Sequence, residues 1–343
     1  MKDTNRNFEE SRSAYQVSII IPAFNEERSI GSCLDAIATL RTTDAEFEVL
    51  LIDNGSADRT VEIARNYAGC LNLRTVVEPG VHVSVLRNTG ARLATGKYLA
   101  FVDADCIVSP HWLANLIGRF RQNERGIWGA HYQIPASSTW IARAWYGKTG
   151  ASGPTSYVPG GTLAISRSHF LMLGGFDEDI QTNEDYEFCR RARDHGLITW
   201  ADPSLATIHL GTPQTLTAFF QKQRWHGTHV FKVFWGALPK LRNVTTVVYT
   251  LYVLSTLAGV AAGLAAWAVY HSIIVLLWAA SALTCGAAAA GCWRAFSERR
   301  IRTAPQLSIL YLAFGIARVC SLTSMGRKEK TPRPRSSCTS LIS

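Results

Sequence analysis

Tyr98-Leu99-Ala100-Phe101-Val102-Asp103-Ala104-Asp105 decides the fold: five apolar residues run into two carboxylates one residue apart. An apolar run without polar alternation reads as a strand covered on both faces, as in a parallel sheet. Working outward, Val17-Ser18-Ile19-Ile20-Ile21 is a second such strand, closed by Pro22. Residues 26–40 place Ile30, Cys33, Leu34, Ile37 and Leu40 at helical spacing. Strand 47–52 follows and ends at Asp53-Asn54-Gly55-Ser56; then come helix 58–67, strand 73–77 and helix 85–94. This alternation predicts an α/β fold with a doubly wound, mostly parallel sheet. Residues 127–207 are less regular and Gly-rich, which suggests a mixed-sheet substrate region. A helix is expected over 183–195, and an amphipathic one over 217–234.

The polar residues fall just after the carboxyl ends of strands, where open α/β sheets bind ligands because their loops diverge. Asp103 and Asp105 can share a hard divalent cation, which prefers oxygen ligands. Such an ion would bridge a diphosphate and stabilise a leaving anion. Asp53 is read as accepting from a base or ribose, although Asp53 to Asp58 also suits a turn with Asp58 capping the next helix, and both can hold at once. Arg87-Asn88 is read as opening a helix, where it either touches a diphosphate, holds the Asp103 loop or forms a surface ion pair. Glu184-Asp185 begins a helix, where capping alone accounts for carboxylates; a general base is the alternative. Gln221-Lys222-Gln223-Arg224-Trp225 is either a membrane-interface belt or a cap on the site. His209, His226 and His229 read as structural or interfacial.

The net charge is +9, but residues 294–343 hold ten Lys/Arg against two Asp/Glu, so the rest of the chain is nearly neutral. A basic tail suits nucleic acid or an anionic lipid surface. Residues 244–293 contain no Asp, Glu, Lys or Arg, which decides for membrane lipids and against nucleic acid. A span needs about 20 apolar residues, so this run holds a helical hairpin that turns at Tyr270-His271-Ser272. The N-terminal residues 1–16 show no apolar signal region, so the catalytic part is expected in the cytoplasm. The eight cysteines include no C-x-x-C pair and are read as reduced and packed. The expected order is thus a polar segment 1–16, a catalytic domain 17–235, the hairpin 244–293, a third apolar segment 304–324 and a basic tail 325–343.

In combination these motifs resemble the family 2 inverting glycosyltransferases of the GT-A fold, in order from Val17 to Trp225. Residues 17–26 look like that family's first strand and nucleotide-binding loop, and Asp53 to Asp58 like its second. Asp103-Ala104-Asp105 looks like its D-x-D, Gly160-Gly161-Thr162 like the strand lining the donor-sugar pocket, and Gln221-x-x-Arg224-Trp225 like its Q-x-x-R-W. The resemblance implies a nucleotide-diphosphate sugar held by Pro22, Ala23, Asn25, Glu26, Asp53, Asn54, Asp58, Arg87, Gly160 and Gly161. It implies Mg²⁺ or Mn²⁺ on Asp103 and Asp105, with His209 as a further metal or phosphate contact. Asp185 of the Glu184-Asp185 pair would be the catalytic base, and Gln221, Arg224 and Trp225 would close over diphosphate or acceptor.

The resemblance further implies transfer to a lipid-linked or saccharide acceptor at the cell membrane, in cell-surface polysaccharide or glycolipid synthesis. The alternatives are a processive synthase subunit and a sugar nucleotidyltransferase, whose opening loop is generally Gly-rich with Arg and Lys. The third apolar segment carries Arg318, and a full span there would put the basic tail outside, against the positive-inside bias. It is therefore expected to lie in the interface, with the tail inside.

Overall fold

The computed structural model describes residues 16–41, 46–147, 150, 152–180, 182–227, 244–271 and 273–322. The expectations for the N-terminal segment up to residue 15, for His229 and the helix through Phe234, and for the basic tail lie outside them.

An eight-stranded sheet forms the centre, with strand order β3-β2-β1-β4-β8-β6-β9-β7. Its strands are β1 (Val17–Ala23), β2 (Phe47–Asp53), β3 (Leu73–Val77), β4 (Tyr98–Phe101), β6 (Gly126–Gly129), β7 (Gly153–Pro154), β8 (Ala164–Ser166) and β9 (Ile198–Ala201). β3, β2, β1 and β4 are parallel, in register Ile20↔Leu50 and Ile20↔Phe101. β8 runs antiparallel to β4 and β6, which makes the second half mixed, as expected. All seven residues of β1 are buried. Ile19 and Ile21 pack on α1 (Ile30–Ala38) and α4 (Trp112–Gln122), while Ile20 packs on the opposite layer with α3 (Val83–Leu93), α6 (Arg167–Met172) and α7 (Glu184–Asp194). Burial on both faces explains why this strand has no polar alternation; each isoleucine contributes roughly 1.5–3 kcal/mol. Between β2 and β3 runs the short α2 (Thr60–Arg65).

A two-stranded sheet pairs β5 (Cys106–Ile107) with β10 (Ile208–His209), in register His209↔Cys106. Leu210 N–H donates to Asp105 O at 2.8 Å beside it. This pairing carries His209 across more than a hundred residues to the end of β4.

Below the sheet domain lie α5 (Trp140–Tyr146) and α8 (Leu216–Gly227), then α9 (Val244–Tyr270), α10 (Ile274–Ser297) and α11 (Ala304–Leu322). Among the described residues, three segments are long and apolar enough to cross a membrane: Thr246–Val269, Ile274–Ser297 and Ile301–Leu322. α9 stops at Tyr270 and His271 takes φ 52°, so the chain turns where the sequence places it. α5 and α8 pack on these helices through Ile141, Ala144 and Phe219 against Ala295, Leu307, Leu310 and Phe314. Trp145 sits 5.2 Å from the Tyr311 ring and 5.4 Å from Phe314. From the far end of α10, Arg294 donates to Trp145 O at 2.6 Å, and Arg300 donates to Arg143 O at 2.6 Å. Arg294 at the end of α10 and Arg300 just beyond it thereby add donors to the carbonyls in the last turn of α5.

Candidate active site

The strand order reverses between β1 and β4, so the loops after these strands diverge and open a crevice. Asp103 and Asp105 stand there. Asp103 Oδ1 accepts from Arg87 Nη2 at 2.8 Å, and Oδ2 accepts from the Tyr132 hydroxyl at 2.7 Å. Arg87 lies in the middle of α3, not at its start, which is how a 4% exposed side chain reaches inward. Its other arm donates from Nη1 to Glu184 Oε1 at 2.6 Å. Of the roles open in the sequence, Arg87 takes that of holding the Asp103 loop. Burial works against ionisation of Asp103, but Arg87, His209 and Tyr132 hold it below the usual carboxylate range.

Asp185 lies one residue beyond Glu184, in the first turn of α7. Its Oδ2 accepts from Gly160 N–H at 3.1 Å and its Oδ1 from Tyr186 N–H at 2.7 Å. Burial and then the neighbouring Glu184 carboxylate push its pKa up to about 7, with Arg87 opposing. The helix begins at Asn183, whose φ of 66° is left-handed and whose side chain does not cap it. Gly160 to Thr162 is a tight 3-10 turn before β8, not the strand expected. The turn brings its backbone close to Arg87: a Cβ at Gly160 would stand 2.7 Å from Arg87 Nη1. Gly161 N–H also donates to the Tyr132 hydroxyl at 3.1 Å. Asp103, Arg87, Glu184, Asp185, Gly160 and Gly161 therefore form one connected group.

The loops after β1 and β2 are tied together. Asn25 N–H donates to Ser56 Oγ at 2.8 Å, Ala57 N–H to Asn25 Oδ1 at 2.9 Å, and Glu26 N–H to Thr60 Oγ1 at 2.7 Å. Pro22 and Ala23 end β1 opposite Ile52 and Asp53. Asp53 Oδ2 accepts from Gly55 and Ser56 N–H at 2.9 and 2.8 Å, and Ser56 Oγ donates to its Oδ1 at 2.5 Å. Asn54 exchanges two 3.0 Å hydrogen bonds with Val81. Asp53 and Asn54 thus perform the turn chemistry that the sequence offers beside the ligand contact read for Asp53. Asp58 accepts from Thr60 N–H at 3.0 Å, but the capping position of α2 belongs to Arg59. Glu26 faces the crevice: burial raises its pKa against a hydrogen bond from Ser29, and Asp105, Asp103 and Asp58 add to the rise.

Asp105, Asp103 and His209 bring one ligand atom each within 4.8 Å of one another. His209 Nδ1 lies 3.5 Å from Asp105 Oδ2, is buried, and has no hydrogen-bond partner among the described residues. Read from residues alone, His209 was a satisfied structural histidine; the orphaned nitrogen corrects that. Burial raises the pKa of Asp105 and lowers that of His209. A divalent cation inverts both effects, since it takes the carboxylate and the neutral imidazole as ligands. Two carboxylate oxygens and one imidazole fit such an ion.

α8 presents Phe219, Gln223 and Gly227 inward. Lys222 shares that side: its Nζ donates to Gly211 O at 3.2 Å, and burial lowers its pKa while Asp105 and Asp103 raise it. Gln221, Arg224 and Trp225 are exposed, Trp225 by 47%, so the inward cation of this helix is Lys222. Sequence reading passed over Lys222 and Tyr132. The spacing from Phe219 carried a signal for the first, because positions three, four, seven and eight residues on share a helix face. Nothing local marks Tyr132.

Residues 18–175 match glycosyl transferase family 2, and residues 98–293 match glycosyl transferase family group 2. Over 99 residues the chain is 41% identical to glycosyltransferase AglE of Haloferax volcanii, covering 28% of this chain and 33% of that protein. Over 201 residues it is 39% identical to the uncharacterized glycosyltransferase YibD of Escherichia coli, covering 55% of this chain and 56% of that one. The chain thus spans a third to just over half the length of these relatives. Its fold is similar to that of the mannosyltransferase PcManGT from Pyrobaculum calidifontis, solved with GDP-Man and Mn²⁺: the TM-score is 0.58 at 21% identity, covering 89% of this chain and 87% of that one. The second of these family matches spans more than half of the chain, which thus belongs to glycosyl transferase family group 2.

Proposed function

We propose that the protein is a metal-dependent inverting glycosyltransferase that moves a sugar from a nucleotide-diphosphate sugar to a hydroxyl of a lipid-linked acceptor at the cytoplasmic face of the membrane. The observation that carries this reading is the double hydrogen bond of Arg87, which joins Asp103 at the cation site to Glu184 beside Asp185. The fold shared with a mannosyltransferase solved with GDP-Man and Mn²⁺ supports a donor and ion of that chemistry.

When bound on Asp103, Asp105 and His209, Mn²⁺ or Mg²⁺ would neutralise charge on the leaving diphosphate. Arg87 holds Asp103 by a hydrogen bond, and Lys222 adds a positive charge near Asp105. The loops after β1 and β2 hold the nucleoside, with Asn25 and Ser56 setting their spacing. Asp185 accepts the proton of the acceptor hydroxyl, whose oxygen forms a bond to the anomeric carbon from the face opposite the donor oxygen. The bond from that carbon to the diphosphate breaks, its electron pair leaves with the nucleoside diphosphate, and the anomeric centre inverts. A carboxylate with a pKa near 7 is matched to this task, since a base works best when its pKa is close to the working pH.

The test is to incubate membranes carrying the protein with a panel of radiolabelled nucleotide-sugars, with Mn²⁺ or with a chelator. Label should enter the lipid fraction only with the ion, and free nucleoside diphosphate should appear. Release of pyrophosphate, or transfer undiminished by Asp103→Ala, overturns the reading.

A further inference from the structure

α8 and α11 meet at a basic side chain, Arg318, for which the described residues supply no anion. Arg318 reaches from α11 toward α8: a Cβ at Gly227 would come 3.3 Å from its Cδ, and its Nη2 donates to Gln223 Oε1 at 3.4 Å. Its guanidinium carbon stands 4.8 Å from the Phe314 ring centroid. Nε and Nη1 of Arg318 are buried and have no hydrogen-bond partner among the described residues. No Asp or Glu pairs with Arg318 among them either, in contrast to Arg87, Arg119, Arg294 and Arg300. Gln223 donates in turn to the Tyr146 hydroxyl at 3.4 Å, and Lys222 Nζ stands 6.0 Å from the Tyr146 ring centroid. One turn further on, His226 is kept neutral down to about 3, first by burial and then by the charges of Lys222 and Arg318.

A buried guanidinium with open donors and no counter-charge is unfavourable unless a ligand supplies the charge. Its planar fork matches two oxygens of one phosphate. The group also lies between two environments. Lys222 faces Asp105 at the cation site, and Arg318 belongs to an apolar helix packed on α9 and α10. A ligand that fits both ends is an anionic head with a hydrocarbon tail.

We propose that Arg318, with Gln223 and Lys222, binds a phosphate carried by the lipid acceptor. This holds the headgroup beside the crevice while its chain follows the apolar helices. The inference rests on the reading that the acceptor is lipid-linked. The same oxygen chemistry comes with a bilayer phospholipid or with free phosphate, and the experiment separates the three.

Full-length protein in detergent is titrated with polyprenyl monophosphate, phosphatidylglycerol and inorganic phosphate, and binding is read by native mass spectrometry. Polyprenyl monophosphate should bind at least about ten-fold more tightly than the other two. Arg318→Met should lose about ten-fold, and Arg318→Lys should recover part of the loss. Equal binding by wild type and Arg318→Met overturns the site. Phosphatidylglycerol or inorganic phosphate binding as well as the polyprenyl lipid overturns the assignment to the acceptor. Photolabelling of wild-type protein with a diazirine-bearing polyprenyl phosphate gives a reading without a variant. Label on the peptides of α8 and α11 around Gln223 and Arg318 supports the site, and label confined elsewhere overturns it. Protein that binds the lipid phosphate but transfers no sugar leaves this site standing and removes the reading beneath it.

Discussion

A Cβ at Gly161 would stand 2.0 Å from Asp103 Oδ2, far inside the closest approach of real side chains. The Gly160-Gly161 pair is therefore required by the back of the cation site, whatever it does at the front. Gly161→Ala should leave the fold intact and push Asp103 or Tyr132 aside. Partners that orient a metal ligand typically change metal affinity about 10–100-fold, and a loss of that size in Mn²⁺ binding is expected. Binding unchanged by calorimetry would refute the contact.

Arg87 is the structural centre of the site. Removing one partner of a buried ion pair costs about 3–5 kcal/mol because the remaining charges are left unpaired. Arg87→Met exposes both Asp103 and Glu184 to that penalty, so denaturant unfolding of the catalytic domain should show a loss of that order. A loss below about 1 kcal/mol, as for surface pairs, would mean that water replaces the guanidinium without difficulty.

Asp185 gives two pH dependences of opposite sign. As a base it must be ionised, so transfer should rise with pH through about 7, and Asp185→Asn should lower turnover about 10²–10⁴-fold. Folding runs the other way. The folded carboxyl keeps its proton up to about 7, against 3.8 unperturbed, so its favourable contribution is complete below the unfolded value and is lost as pH rises through about 7. Asp185→Asn should therefore be more stable than wild type at pH 8, with the gap closing toward pH 5. Thermal melts at both pH values measure it, and a gap independent of pH would remove Asp185 as the titrating group.

His209 adds a nitrogen to an otherwise oxygen donor set. Mg²⁺ prefers oxygen and demands near-ideal octahedral geometry, whereas imidazole suits the transition metals better. Wild-type transfer should be faster with Mn²⁺ than with Mg²⁺, and His209→Ala should narrow that ratio. A ratio unchanged by His209→Ala would place the ion on the two aspartates alone.

The parallel half of the fold was legible because its physics is local. Val17 to Ile21 and Tyr98 to Val102 are apolar on both faces, and the carboxylates sit where such strands end. His209 came into view only through the family resemblance: the pairing of β5 with β10 puts it beside Asp105, and no spacing in the sequence encodes a contact across a hundred residues. Tyr132 fails for the same reason. Asp53 shows another limit, because a residue type that suits both a ligand and a turn cannot be assigned until its hydrogen bonds are seen.

α11 is held against the catalytic domain along most of its length. Its contacts with the catalytic domain run from Leu307 and Phe314, against Trp145 and Phe219, to Arg318 and Ser321 against Gln223 and Gly227. Fourteen residues of helix rise about 20 Å, and over that length one side of α11 is covered by α5 and α8. A helix covered in this way cannot cross the hydrocarbon layer unless α5 and α8 enter it too, and Lys222, Arg224 and Arg143 make such entry costly. We therefore predict that α11 lies in the interface while α9 and α10 cross the membrane. A reporter fused at Ser343 should then read the same side of the membrane as the catalytic domain. A reading from the opposite side would require α11 to span, and the domain contacts along it would have to open in the bilayer.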